Sequence, residues 1–199
     1  MKLYYNRFTR ATRPRWLLEE LGAPCEIVEV DLRAGEHKTD AYKAVHPLGR
    51  LPAFVDDDGQ VIFESAAIVL HLADRFADRG LTPAPGTSAR GLYYQWIVFA
   101  VSELEGPALR YFREWSKAEA LRDAAALAAA QAEFDERAAV LSAALEGRDW
   151  LVGDFSAADV MIGSVVTWSE RMGMCNAHPT LLAYSARCQA RPAYRAGRS

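Results

Sequence analysis

The chain has 199 residues, enough for one large domain or two small ones sharing a seam. Half of it is apolar (51%) and a quarter charged (25%), and a net charge of -3 gives nucleic acid or an anionic membrane no electrostatic reason to bind. No run reaches the ~18 uninterrupted apolar residues of a membrane span, and the opening MKLYYNRFTR lacks the apolar core of a signal peptide. Three cysteines, Cys25, Cys175 and Cys188, are odd in number and widely spaced, with no CxxC or Cys/His cluster. That pattern predicts no metal site, packing roles for the thiols, and a reducing, cytoplasmic setting.

In chain order, Lys2 to Tyr5 is short and aromatic and predicts a strand. Asn6 to Thr12 is polar and irregular. A helix follows, with Thr12 as its cap, Pro14 in its first turn, Trp16, Leu17 and Leu21 on one side and Gly22 as its stop. Cys25 to Asp31 carries β-branched residues between acids and predicts a second strand. Gly35 to Val45 predicts a loop and a short helix, and His46-Pro47-Leu48-Gly49 breaks the pattern. Leu51–Val55 and Gln60–Phe63 flank Asp56-Asp57-Asp58-Gly59, a β-hairpin signal. From Ser65 the period changes, with Ile68, Val69, Leu72, Ala73 and Phe76 on one helical face.

Composition shifts at Arg79, and Gly80, Pro83, Pro85, Gly86 and Ser88 form a linker-like run. Beyond it only helical spacing appears. Leu92, Trp96, Phe99, Ala100 and Leu104 mark one helix. Alanine-rich Lys117 to Glu146 marks another, striped by Leu127, Phe134, Leu141 and Leu145. Ser156 opens a further helix after a turn at Gly153–Phe155, and the last helical stretch starts at His178-Pro179 and ends near Pro192. The expectation is an α/β domain over residues 1–78, a linker over 79–88 and an all-helical domain over 89–199.

Two short motifs carry chemistry. In Gly49-Arg50-Leu51-Pro52-Ala53-Phe54 a proline stands at the mouth of a strand, where it cannot donate to the ladder. A cis Leu51-Pro52 bond would turn the Leu51 N–H and C=O outward to pair with an extended peptide; a plain edge-strand proline is the alternative. In Phe63-Glu64-Ser65-Ala66 a strand passes into a helix, and Ser65 fits the N-cap. Its hydroxyl and the free N–H groups of the first turn suit a carboxylate, while Glu64 suits an ammonium group. Ordinary helix capping is the alternative.

Together these motifs are far more specific than either alone. HPLGRLPAFVDDDGQVIFESAAIVLHLADRF resembles the glutathione-binding core of the cytosolic glutathione transferases, most nearly bacterial members of the beta-like kind. Trp150 to Asp159 resembles that family's helical-domain signature. Physically it is a capping box of Ser156 and Asp159, stapled by Phe155 and Val160. The resemblance covers essentially the whole chain. It implies a thioredoxin-like domain followed by a helical bundle, glutathione as co-substrate, a small electrophile as second substrate, and a homodimer.

By the same resemblance Leu51, beside Pro52, would bind the cysteinyl part of glutathione through its backbone. Glu64 and Ser65 would hold the γ-glutamyl end, and Arg50 would lie near the glycyl carboxylate. Glu103 would reach the partner subunit's γ-glutamyl group, while Glu105 and Gly106 depart from the His and Lys of bacterial relatives. The thiol-activating Ser or Cys of those relatives is absent from Asn6–Arg13. Thr9 is the nearest hydroxyl and Arg10 a second candidate, as a cation beside the thiolate. Conjugation of the thiolate to electrophiles is the expected activity. The alternatives are a glutathione-dependent isomerase or disulfide reductase on the same site, or a non-catalytic binding module.

Overall fold

In the computed structural model, which describes residues 1–198, Leu3 and Tyr5 are buried and Lys2 and Tyr4 are not. This is the two-residue alternation of a strand, β1 (Lys2–Tyr5). β1 pairs in parallel with β2 (Glu26–Glu29), Leu3 opposite Ile27. It pairs antiparallel with β3 (Ala53–Val55), Tyr4 opposite Ala53. The Asp-Gly hairpin forms as expected and joins β3 to β4 (Val61–Phe63), Ala53 opposite Phe63. The sheet order is β2-β1-β3-β4. β1 spans the residues expected of it, while β2, β3 and β4 are shorter than the runs that announced them, because the flanking residues turn into loops.

The crossover from β1 to β2 is α1 (Thr12–Leu21), which buries Trp16, Leu17, Leu18 and Leu21 and ends at Gly22 in the left-handed region (φ 58°). A one-turn helix, α2 (Asp40–Lys43), precedes β3. α3 (Ser65–Arg75) follows β4 and buries Ile68, Val69, Leu72 and Ala73. The registers have a direct consequence for function. Tyr4 faces Ala53, and Ala53 faces Phe63. The end of β1, the start of β3 and the end of β4 therefore share one end of the sheet. The Asn6–Ala11 loop, Leu51-Pro52 and Glu64-Ser65 all continue from that end.

The chain divides into two units, Met1–Leu81 together with the residues from Arg191 onward, and Thr82–Ala190. The first is the α/β body. Its last element, α9 (Pro192–Ala196), packs on α1, the Tyr194 ring standing edge-on to Trp16 at 4.9 Å. The helical stretch expected to end near Pro192 does so, and a further short helix follows it. α8 (Pro179–Ala190) stops, Arg191 is extended as residues before proline are, and Pro192 starts the next helix.

The second unit is helical: α4 (Ser88–Phe99), α5 (Glu105–Trp115), α6 (Ala124–Ala144), α7 (Ala157–Arg171) and α8. Between α4 and α5 the Ala100–Leu104 segment widens into a π-helical turn. Pro107 has no N–H to offer the Glu103 carbonyl, so the ordinary bond is missing there. α6 begins seven residues later than its alanine-rich composition suggested. Asp123 caps it by accepting from the N–H groups of Ala125 (2.9 Å) and Ala126 (3.1 Å), which fixes the start downstream of Lys117. The capping box of α7 forms as read: the Asp159 carboxylate accepts from the Ser156 N–H at 2.9 Å and its hydroxyl at 3.1 Å. No helix of the described residues is long and apolar enough to cross a membrane.

Candidate functional site

The Leu51–Pro52 peptide bond is cis. Among the described residues no hydrogen bond is recorded to the Leu51 N–H or C=O, which lie just outside the β3 ladder. The loop before it is tightly built. Gly49 (φ 55°) passes so close to the His37 carbonyl that a Cβ there would come within 2.4 Å of the oxygen. Tyr42 donates from its hydroxyl to the Arg50 carbonyl at 2.7 Å, leaving the Arg50 side chain exposed. His46 is buried, its ring 4.9 Å from Phe63, and its Nδ1 accepts from the Leu48 N–H at 3.3 Å. Burial pushes the His46 pKa down, with Arg50 adding to the effect and Glu64 opposing it.

Glu64 is exposed and has φ 72° and ψ 116°, the sole described non-glycine residue with positive φ. It occupies the N-cap of α3, and Ser65 is the first helical residue rather than the cap. With the cap at Glu64, the helix starts one residue earlier than a Ser65 cap would give. Ser65 is buried, and its Oγ accepts a hydrogen bond from Nη1 of Arg13 at 3.1 Å. Arg13 is itself only 3% exposed. A serine hydroxyl that accepts from a guanidinium still has its own proton to donate. The α3 N-terminus therefore presents a hydroxyl donor, first-turn N–H groups and a buried cation behind them, which together suit a carboxylate.

The loop between β1 and α1 is organised by Asn6. Its Nδ2 donates to the Val30 carbonyl at 3.0 Å, its Oδ1 accepts from the Phe8 N–H at 3.1 Å, and its carbonyl accepts from the Thr9 N–H at 3.0 Å. Thr9 is half-buried, and its hydroxyl donates to the Asn6 carbonyl at 2.7 Å while accepting from the Ala11 N–H at 3.2 Å. Thr12, expected to cap α1, lies inside the helix, and its hydroxyl donates to the Thr9 carbonyl at 3.1 Å. Ala11 holds the cap position. Arg10 is exposed on the same loop.

One end of the sheet thus gathers Thr9, Arg10, Arg50, Leu51, Pro52, Glu64 and Ser65. Glu103 belongs to the second unit, in the π-helical turn, where its carboxylate lies 3.7 Å from Nε of Arg137. Sequence reasoning missed Arg13, Asn6 and His46. Arg13 had a signal: it precedes Trp16 and Leu17 by three and four residues and so falls on the apolar stripe of α1. Among the described residues no group of three or more His, Cys, Asp or Glu side chains is gathered as a metal site.

Residues 1–74 match the family model for the glutathione S-transferase N-terminal domain. Glutathione S-transferase F10 of Arabidopsis thaliana is 30% identical over 165 residues, covering 80% of this chain and 76% of the plant protein. A glutathione transferase from Methylococcus capsulatus str. Bath superposes with a TM-score of 0.84 at 33% identity, covering 99% of this chain and 96% of that one. A sphingomonad glutathione S-transferase, solved in complex with glutathione, gives 0.83 at 32% identity and covers 100% of this chain and 97% of its own. With a site of this composition and these relatives matched over three quarters or more of their length, the chain belongs to the glutathione S-transferase family.

Proposed function

We propose that this chain is a glutathione transferase that conjugates the glutathione thiolate to small electrophiles. One observation carries the reading: a backbone edge at Leu51, an acid at Glu64 and the Arg13-backed Ser65 converge at one end of the sheet. Leu51 pairs with the cysteinyl backbone, Ser65 with the γ-glutamyl carboxylate, Glu64 with its ammonium group and Arg50 with the glycyl carboxylate. The thiol gives up its proton to solvent water, the thiolate attacks an electrophilic carbon, and a C–S bond forms as a leaving group departs with its electron pair. Lowering the thiol pKa by ~2 units from ~8.5 takes about 2.7 kcal/mol of preferential thiolate stabilisation. The resemblance assigns this to Thr9 or Arg10 on the β1–α1 loop, and Thr9 would have to turn its proton from the Asn6 carbonyl to the sulfur to do so.

The family resemblance also proposes a homodimer, and Glu103 as a residue that reaches the partner subunit. Support comes from α4 and the turn after it, where Tyr94, Val98 and Val101 recur at four- and three-residue spacing and are 43%, 56% and 39% exposed. Sedimentation at micromolar concentration tests this; a monomer there overturns it. The three cysteines are free thiols, consistent with a cytoplasmic setting.

A second reading, a glutathione-binding module without catalysis, has its own support: the Thr9 hydroxyl spends its proton on the Asn6 carbonyl. Titration with glutathione, followed by thiolate absorbance, separates the two. The transferase reading expects binding at micromolar to millimolar glutathione, thiolate at neutral pH, and less thiolate in Thr9→Ala than in Thr9→Ser. Binding without thiolate favours the module, and no binding at millimolar glutathione sinks both.

A further inference from the structure

Arg191, Tyr194 and Gly197 lie on the helix that carries Arg13. Glu20, near the end of α1, has a side chain only 8% exposed. Its carboxylate accepts from Nε1 of Trp16 at 2.8 Å, from Nε of Arg191 at 2.6 Å and from Nη2 of Arg191 at 2.7 Å. Tyr194 then stands edge-on to the Trp16 ring. Gly197 follows, pressed so closely on α1 that a Cβ would come within 2.7 Å of the Trp16 Cα and 2.8 Å of its nitrogen. Its φ of -67° is open to any residue, so space and not conformation demands glycine. The Gly197 carbonyl accepts from the buried Tyr5 hydroxyl at 3.1 Å, which ties the segment to β1 as well.

Arg13, Trp16 and Glu20 are three and four residues apart and share one stripe of α1. At 3.6 residues per turn, Arg13 and Glu20 lie within about 20° of each other around the helix axis. At a side-chain radius of roughly 5–6 Å, a 20° roll of α1 moves a side-chain tip by about 2 Å. That is enough to break the 3.1 Å bond from Arg13 to Ser65.

We propose that Arg191–Gly197 is a positioning strap for the carboxylate end of the glutathione site. It fixes the roll of α1 through Glu20 and Trp16 and thereby holds Arg13 on Ser65. None of these strap residues touches the ligand; Arg191 and Gly197 are positioning residues. The inference rests on the glutathione reading given above.

The test is a thermodynamic cycle on the full chain, run at a temperature where circular dichroism reports every variant folded. Glutathione Kd is measured by calorimetry for wild type, Arg191→Met, Arg191→Lys, Gly197→Ala, Arg13→Met and Arg13→Met/Arg191→Met. Leu141→Ala, a cavity in the core of the second unit, controls for general loss of stability. Arg191→Met and Gly197→Ala are expected to raise Kd at least fivefold, with Arg191→Lys between them and wild type and Leu141→Ala within twofold of wild type. Adding Arg191→Met to Arg13→Met is expected to change Kd by less than twofold, because the strap acts through Arg13. A strap that only stabilises would lower the melting temperature and leave Kd within twofold, which overturns the proposal. So does an equal Kd change with and without Arg13. Should Arg191→Met not fold, Gly197→Ala and Arg191→Lys carry the cycle. Wild type that fails to bind millimolar glutathione overturns the glutathione reading and the strap with it, an outcome distinct from the other two.

Discussion

Arg13 and Ser65 are 52 residues apart in sequence, yet a buried guanidinium nitrogen of the first stands 3.1 Å from the hydroxyl of the second. The pair joins α1 to the start of α3 and sets the direction in which Ser65 can donate. Hydrogen bonds to charged groups contribute about 1.5–3 kcal/mol. Arg13→Met keeps much of the aliphatic stem and removes the donor, and should weaken glutathione binding roughly tenfold, about 1.4 kcal/mol. Ser65→Ala should weaken it by a similar factor, and the double variant should be no worse than the single ones within twofold. Calorimetric titration of the three variants checks this; fully additive losses would mean that the two residues act separately.

Glu64 pits stability against binding. Its backbone lies in a sparsely populated region that costs an L-residue about 1–3 kcal/mol, and glycine would relieve it at some cost in unfolded-chain entropy. Glu64→Gly should therefore raise unfolding stability by roughly 0.5–1 kcal/mol in urea while lowering glutathione affinity at least tenfold. Glu64→Gln keeps the strained backbone, so it should lose affinity and leave stability within about 0.5 kcal/mol. A Glu64→Gly protein less stable than wild type would show that the side chain holds the turn together.

The legible features are those whose cause is local. Pro52 at a strand mouth, Asp-Gly in the hairpin, Gly22 at a helix stop and Ser156 with Asp159 three residues on each specify a backbone event within a few residues, and the structure has each of them. The shifted boundaries are local too, but need the partner: Asp123 starts α6, and the Glu64 backbone displaces the cap from Ser65. What sequence could not offer is pairing at a distance. Arg13 with Ser65, Asn6 with Val30 and Arg191 with Glu20 join residues 24 to 171 apart, and no periodicity records them. Thr9 is a different case: its hydroxyl donates to the Asn6 carbonyl only three residues back, a turn contact that residue type alone does not announce.

His46 makes the site loop sensitive to acid. It is buried, and as an acceptor for the Leu48 N–H its Nδ1 must be unprotonated. Burial lowers its pKa below the ordinary 6.5. As pH falls through 6.5 the unfolded chain takes up the proton first, so stability is complete above that value and is lost toward the lower folded pKa. Asp31, Asp56 and Asp57 have pKa values below an ordinary 3.8, so their losses come at more acid pH. Urea midpoints between pH 7.5 and 5.5 should fall for wild type and stay flatter for His46→Asn. An unchanged slope in the variant would remove His46 from this dependence.

Asp159 organises the start of α7 from a fully buried position. Its carboxylate accepts from the Leu151 N–H (3.1 Å), the Ser156 N–H (2.9 Å), the Ser156 hydroxyl (3.1 Å) and the Tyr184 hydroxyl (3.0 Å). Burial still raises its pKa, so the donors offset only part of the desolvation. Removing the carboxylate strands neutral donors, each at about 1–3 kcal/mol where water does not replace the acceptor, so roughly 3–5 kcal/mol for the set. Asp159→Ala should cost that much in urea unfolding, whereas Ser156→Ala, which spares the remaining donors, should cost about 1 kcal/mol. Asp159→Asn tests the charge separately. Its amide must turn NH2 toward groups that themselves donate, so it should be closer to Ala than to wild type. A loss under about 1 kcal/mol for Asp159→Asn would mean that one accepting oxygen suffices to hold the turn.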